Sequence, residues 1–347
     1  MIPVIDLSEV RRYPNDATLV KSLDTALTQT GFCYLKNHGI APEMIAAAQA
    51  AALHFFSLSE KFKSQYDIAK APRHSGYVGF SENGMYADEA MRLYEAYDIG
   101  LELPAQDKDF LEGNIFYGPN TWPDLLGFKR AVYSYYEAIS FLAKLLTHTI
   151  EAALDLRFNT LTNMMRKPTA QLRLIHYPEN QVACREAHSH SMMGAHTDYE
   201  FFTLLYQTMP GLQTVNVKGE WLDAPPLPDT LVMNVGDMAE VISGGRYRSN
   251  PHRVLNTGKE RFSMPFFAAF DYQSEIRPMV ATSRHGLPSL IAGEHLLQQV
   301  SQDFSYLRMN IQEKDTAQGL AVLPEAELLQ AKQMRNPFLK GKTTWIN

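Results

Sequence analysis

The chain has 347 residues, a formal net charge of −6, 45% hydrophobic residues and two cysteines. That length can bury one large core or two modest ones, and no Ser/Gly-rich linker or shift in composition divides it. The acidic balance without a Lys/Arg cluster excludes bulk nucleic-acid binding, and no apolar run approaches the roughly eighteen residues of a membrane span. Two distant cysteines, Cys33 and Cys184, and no leader-like pattern point to a reducing, cytoplasmic setting.

Residues 2–7 alternate into a short strand, and a helix closing over residues 24–30 precedes the turn at Gly31. Residues 32–35 read as a strand ended by Asn37, His38 and Gly39, where His38 is expected to satisfy nearby backbone groups rather than hold a metal. Residues 41–56, opened by Pro42 and rich in alanine, predict a helix, with a shorter one at 59–66. A loop is expected at 73–83 around Tyr77, and aromatic strand-like pieces at 94–101 and 113–117. From 123 to 156, Leu126, Val132, Tyr136, Ile139, Leu142, Leu146, Ile150 and Leu154 recur at helical spacing and predict one long helix whose apolar side is core.

On the strand 171–177, Arg173, Ile175 and Tyr177 share one face, and Leu172, Leu174 and His176 share the other. An inward guanidinium needs an anionic partner, either an internal acid or a substrate carboxylate. In the stretch 179–193, Cys184, His188 and His190 lack the paired spacing of a structural zinc site and read as a solvated loop. His196 and Asp198 follow, two apart on a strand, so they point the same way and can grip one metal ion from one side. With His252 arriving from elsewhere, two imidazoles and a carboxylate make the facial triad suited to non-haem iron(II), which leaves adjacent positions open for oxygen chemistry. Glu200 is a rival carboxylate, and Asp237 another whose expected place is a turn.

The apolar run 201–207 predicts a buried strand, residues 211–215 and 220–222 a hairpin turning at Lys218 and Gly219, and 230–235 a further strand. Short strands punctuated by Gly and Pro suit a double-sheet jelly roll. On the strand 261–270, Arg261, Ser263 and Phe267 face inward together. An arginine fork holds a carboxylate bidentately and a serine adds a donor, so this pair is a candidate anion anchor beside an aromatic lining. Helices are expected at 293–311 and 324–334, with a tail from Pro337, packing over the barrel or against a second subunit.

Taken in order, Ile2 to Leu7, Gly31 to Ile40, Gly76-Tyr77, Asn120 to Pro123, His196-Thr197-Asp198 and Arg261-Phe262-Ser263 resemble the isopenicillin N synthase-like family of iron(II)- and 2-oxoglutarate-dependent oxygenases. The resemblance covers nearly all of the chain. It implies a mostly β fold with flanking helices (α+β) around a double-stranded β-helix, or jelly-roll, core. The core and its bracing helix would occupy 121–275, beside an N-terminal accessory region at 1–120 and a helical extension at 276–347, in one structural unit. It implies His196, Asp198 and His252 as catalytic metal ligands, and Arg261, Ser263 and Tyr177 as holders of the 2-oxoglutarate 5-carboxylate. Dioxygen is the implied oxidant and ascorbate a candidate reductant.

Where the family usually carries Asn-x-Tyr, this chain has Ile175 and Tyr177, which removes one hydrogen bond to the cosubstrate, worth roughly 1 kcal/mol. Arg73, Phe116, Tyr117, Arg173 and Phe267 are the candidate substrate contacts. The expected reaction is oxidation, above all hydroxylation, of a small organic molecule with release of succinate and carbon dioxide, by a monomer or homodimer. Three other readings stay open: an oxidase that needs no 2-oxoglutarate, as isopenicillin N synthase and aminocyclopropane oxidase are; ethylene formation from 2-oxoglutarate; and a ligand-binding sensor on the same barrel.

Overall fold

A computed structural model describes residues 1–81, 92–179, 191–216, 219–281, 287, 289–304 and 306–307. The strands of its two main sheets are, in chain order, β1 (Val4–Asp6), β2 (Phe32–Lys36), β3 (Gly76–Val78), β4 (Glu95–Gly100), β5 (Gln171–Tyr177), β6 (Ser191–His196), β7 (Phe202–Gln207), β8 (Leu212–Val215), β9 (Trp221–Asp223), β10 (Thr230–Val235), β11 (His252–Leu255) and β12 (Arg261–Ala268). Among the described residues, β1-β2-β10-β7-β12-β5-β4-β3 form an eight-stranded sheet and β6-β11-β8-β9 a four-stranded one. The inner faces of the two sheets enclose the core of a jelly roll.

Alternation along each strand sorts the side chains into two layers. Leu172 and Leu174 of β5, Phe202 and Leu204 of β7, Leu231 and Met233 of β10, and Phe262, Met264 and Phe266 of β12 pack outward into the core shared with the helices. Ile175, Tyr177, Leu205 and Val232 point the other way, into a second cluster with Met193, Leu212 and Val254 of the smaller sheet. Register fixes the inner layer: Ser263 pairs with Ile175 and with Gln207, and Phe267 pairs with Gln171 and with Thr203.

The helix Phe128–Ala153 braces the outer face, burying Val132, Tyr136, Ile139, Leu142, Leu146 and Ile150. Each large apolar side chain buried this way contributes roughly 1.5–3 kcal/mol. It begins later than the sequence pattern predicts because Gly127, at φ +81°, breaks the helical path; Leu126 lies outside it and is exposed rather than core. The helix Pro42–Phe56 packs on the same side, and Phe56 stacks on the outward ring of His176 at 5.4 Å. His38 accepts the Ile40 N–H at 3.2 Å, the local turn role expected of it.

Three further expectations are corrected. Residues 113–117 form turns, not a strand, because Gly113 takes φ +85° and the Asn114 side chain accepts the Phe116 N–H at 3.0 Å. The expected loop at 73–83 contains β3. Asp237 opens a short helix, Asp237–Ile242, rather than a simple turn. The helix expected at 293–311 is seen as Ala292–Asp303. Cys184, His188, His190, Lys218, and the helix expected at 324–334 with its tail lie outside the described residues. Among those residues, no helix is long and apolar enough to cross a membrane.

Candidate active site

His196 ends β6 and His252 opens β11, and the antiparallel register sets the two directly opposite each other. Their ring centroids lie 4.3 Å apart. Asp198 follows in the loop after β6, with Oδ1 3.8 Å from His196 Nε2 and 3.5 Å from His252 Nε2. One ligand atom from each residue therefore falls within 4.8 Å of the others.

The surrounding hydrogen bonds aim these atoms. His196 Nδ1 lies 2.7 Å from the Gly194 carbonyl and His252 Nδ1 3.3 Å from that of Asn250. An Nδ1–H donated there leaves each Nε2 as a lone pair turned toward the shared centre. Asp198 Oδ2 accepts from the Thr203 hydroxyl at 2.5 Å and from the Asn234 amide at 2.6 Å, which leaves Oδ1 for the same centre. Burial would push the Asp198 carboxyl up, but His252, His196 and the Thr203 hydroxyl outweigh it and hold the group below the ordinary carboxylate range.

The loop carrying Asp198 is fastened from below. The Asp237 N–H donates to the Asp198 carbonyl at 2.9 Å and the Met238 N–H to that of Glu200 at 3.1 Å. Gly236 permits this approach, since a Cβ there would collide with the Glu200 carbonyl. Two imidazoles and one carboxylate oxygen, converging from one side and held by a second layer of hydrogen bonds, fit a divalent transition metal with open coordination positions.

A second charged feature lies on β12. Arg261 is 3% exposed, and its fork donates to Ser263 Oγ at 3.0 Å, Gln207 Oε1 at 2.9 Å and the Met209 carbonyl at 3.3 Å. The Tyr177 ring lies 4.9 Å from the guanidinium carbon. The Tyr177 hydroxyl is a further hydrogen-bond partner; all four oxygens are neutral, and among the described residues no carboxylate pairs with Arg261. A buried cation left this way is costly by several kcal/mol until an anion joins it. The arrangement fits the terminal carboxylate of a small diacid, with the Ser263 hydroxyl as an added donor. Ile175, opposite Ser263, adds only apolar surface.

Between the sheets lies a cavity of about 870 Å³, including its mouth, whose lining includes the three convergent residues, Arg261, Ser263, Tyr177 and Phe267. The end of the helix Ala292–Asp303 roofs it through Val300, Asp303 and Phe304, and the Tyr199 hydroxyl donates to Asp303 Oδ2 at 3.1 Å. The helix thus packs over the barrel. Arg173 lines the cavity too, but its fork is held bidentately by Asp98 at 2.7 Å and 2.7 Å. Its anionic partner is an internal acid. Glu200 lines the cavity without joining the three ligand atoms, and burial, with Asp198 nearby, pushes its carboxyl up to about 8.

Arg73, Phe116 and Tyr117 are placed behind the cavity wall. Arg73 donates to the carbonyls of Leu101 and Gly118 at 2.9 Å and 2.8 Å, Phe116 packs edge-on against His74, and the Tyr117 hydroxyl donates to the Lys167 carbonyl at 2.6 Å. Sequence reasoning missed Thr203, Gln207, Asn234 and Asp98. Thr203 and Asn234 left a partial signal, each a polar residue inside a largely apolar strand. Tyr199, Val300 and Phe304 carried none, because only the tertiary fold brings them to the mouth.

Residues 2–125 match the family profile described as non-haem dioxygenase in morphine synthesis N-terminal, and residues 168–269 match the 2OG-Fe(II) oxygenase superfamily. The chain is 31% identical over 324 residues to homoarginine-6-hydroxylase of Glycine max, covering 87% of this chain and 97% of that one. It is 30% identical over 325 residues to the 2-oxoglutarate-dependent dioxygenase citB of Monascus ruber, covering 88% and 96%. Among solved structures, it superposes with a TM-score of 0.75 on a 2OG-Fe(II) oxygenase family protein from Caulobacter crescentus, at 27% identity over 87% of this chain and 98% of that one. The full-length Neurospora crassa protein crystallised with alpha-KG and thymine matches at TM-score 0.75 and 25% identity, covering 87% and 97%.

Proposed function

The chain belongs to the 2OG-Fe(II) oxygenase superfamily, and from that premise we propose that His196, Asp198 and His252 hold its iron(II), that Arg261, Ser263 and Tyr177 hold the 5-carboxylate of 2-oxoglutarate, and that it hydroxylates a small molecule. When bound, iron(II), 2-oxoglutarate and dioxygen together supply an oxidant able to attack a C–H bond, with succinate and carbon dioxide as the other products. The observation that carries the residue assignment is the pairing of the convergent triad with a buried, uncompensated guanidinium in one cavity.

The protein's own contribution is positional. Carbonyls of Gly194 and Asn250 fix the two imidazoles, while Thr203 and Asn234 fix the carboxylate, so little rearrangement is needed when the metal arrives. Arg261 sets the cosubstrate's far end against Ser263 and the Tyr177 ring. Ile175, Leu205, Leu212 and Val254 keep the walls apolar and limit water, and the roof formed by Val300 and Phe304 closes the substrate side. Similar proteins meet small molecules of quite different shape: one is a homoarginine-6-hydroxylase and another is crystallised with thymine.

The test is succinate production by protein reconstituted anaerobically with iron(II), then given 2-oxoglutarate, air and a panel of small metabolites. Iron-dependent succinate that rises with one compound supports the reading. Arg261→Met or Asp198→Ala protein that produces succinate at the wild-type rate would sink the residue assignment.

A further inference from the structure

Resting on the oxygenase reading of the same cavity, we propose that Glu200 is the substrate-recognition group and that it selects a small molecule carrying a cationic nitrogen, an amine or a guanidine. Glu200 is 5% exposed and lines the cavity. Apart from its own backbone N–H, its carboxyl makes no hydrogen bond or ion pair with another described residue. Its oxygens are not among the fully buried polar atoms without a partner, so the carboxyl opens onto the cavity, where a ligand's donors can reach it.

The other charged groups around the cavity have their work assigned. Asp198 is held by Thr203 and Asn234, and Arg261 by Ser263, Gln207 and Met209. Arg173 is the nearby cation that could have answered Glu200, but its Nε and Nη2 donors are committed to Asp98, and that pair is neutral as a unit. On the roof, Asp303 adds a second carboxyl to the same lining. Glu200 and Asp303 thus add two carboxyls to a lining whose nearby arginine, Arg173, is already paired with Asp98. Phe267 and Tyr199 add aromatic rings to the lining, and the Phe304 ring already carries the Arg173 guanidinium carbon 5.9 Å from its centroid, which shows that a cation is accepted on this side. A ligand bringing N–H donors and positive charge satisfies all of these features, whereas an organic acid satisfies none of them.

The experiment uses the full chain loaded anaerobically with 2-oxoglutarate and manganese(II), so that the metal site is filled and nothing turns over. Calorimetric titration then compares pairs of similar shape that differ by one positive charge: arginine and citrulline, agmatine and N-carbamoylputrescine, lysine and Nε-acetyl-lysine, homoarginine and homocitrulline. We expect at least one cationic member to bind wild-type protein tenfold or more tightly than its neutral isostere. Glu200→Gln, which keeps the shape of the side chain, should abolish that preference while leaving 2-oxoglutarate affinity within threefold of wild type; Asp303→Asn should weaken it in the same direction. Binding by no cationic member, equal binding within every pair, or a preference that survives Glu200→Gln overturns the proposal. Failure of the oxygenase reading is separately visible, because wild-type protein would then not bind 2-oxoglutarate in the presence of manganese(II) at all.

Discussion

Replacing Arg261 by methionine removes the cation of the proposed anchor while keeping a long apolar stem against the Tyr177 ring. In the structure the guanidinium meets neutral oxygens of Ser263, Gln207, Met209 and Tyr177 and no carboxylate among the described residues, so its charge is held ready for a ligand carboxylate. Truncating one partner of a buried, hydrogen-bonded charge pair costs roughly 2–5 kcal/mol. At about 1.4 kcal/mol per tenfold, that is a rise in the 2-oxoglutarate Kd of roughly 30-fold to several-thousand-fold. Ser263 remains as a donor in the variant, which favours the lower part of the range, on the order of 100-fold. Arg261→Lys restores a point charge without the planar fork and should fall between the two. The assay is anaerobic calorimetry with manganese(II) in place of iron, with circular dichroism confirming that the variant folds. A Kd for 2-oxoglutarate within threefold of wild type in folded Arg261→Met protein would refute the anchor.

Other expectations follow from the same geometry. Asn234→Ala frees Asp198 Oδ2 from one of its two donors and should weaken metal binding roughly 10- to 100-fold, measured by competition with a chromogenic chelator; unchanged affinity would remove Asn234 from the account. Gly236→Ala should displace the loop at Glu200 and Asp198 and reduce metal occupancy, which elemental analysis of purified protein would report. Asp98→Ala strands Arg173 and should lower unfolding stability by about 3–5 kcal/mol in urea titrations, whereas the double replacement Asp98→Leu with Arg173→Met should recover most of the loss. Burial, helped by the Arg173 and Arg73 charges and opposed by Asp98, pushes the His74 imidazole down to about 4. The unfolded chain then takes up that proton first, so His74 makes stability fall as pH drops from about 6.5 toward 4, by roughly 3 kcal/mol at the low end. His74→Phe should flatten that part of the stability profile, and an unchanged slope in urea titrations across that window would contradict the assignment.

The parts of this site that were legible in the sequence are those governed by short-range periodicity. Arg173, Ile175 and Tyr177 could be placed on one face of β5 because strand alternation needs no knowledge of the partner strand, whereas Asp198 reaches the His196 side from the loop after β6 and not from the strand that alternation assumed. Arg261 and Ser263 were readable for the same reason. Contacts that depend on register between distant strands were not: nothing local announces that Asn234 of β10 and Thr203 of β7 meet one carboxylate, or that Asp98 of β4 lies across from Arg173 of β5. Arg73 shows the converse case. An arginine beside a predicted pocket was a candidate ligand contact, yet it lies outside the cavity lining with its Nη1 donating to the carbonyls of Leu101 and Gly118. Gly127 misled the helix boundary because apolar spacing continued through Leu126, while a left-handed backbone at the glycine ended the helical path.

The centre itself is tested most directly by anaerobic iron(II) binding to apo-protein, followed by elemental analysis after desalting. One iron per wild-type chain is expected, with occupancy falling to near zero in Asp198→Ala and His252→Ala proteins whose circular dichroism is unchanged. Stoichiometric iron retained by either variant would contradict the claim that His196, Asp198 and His252 share one metal ion.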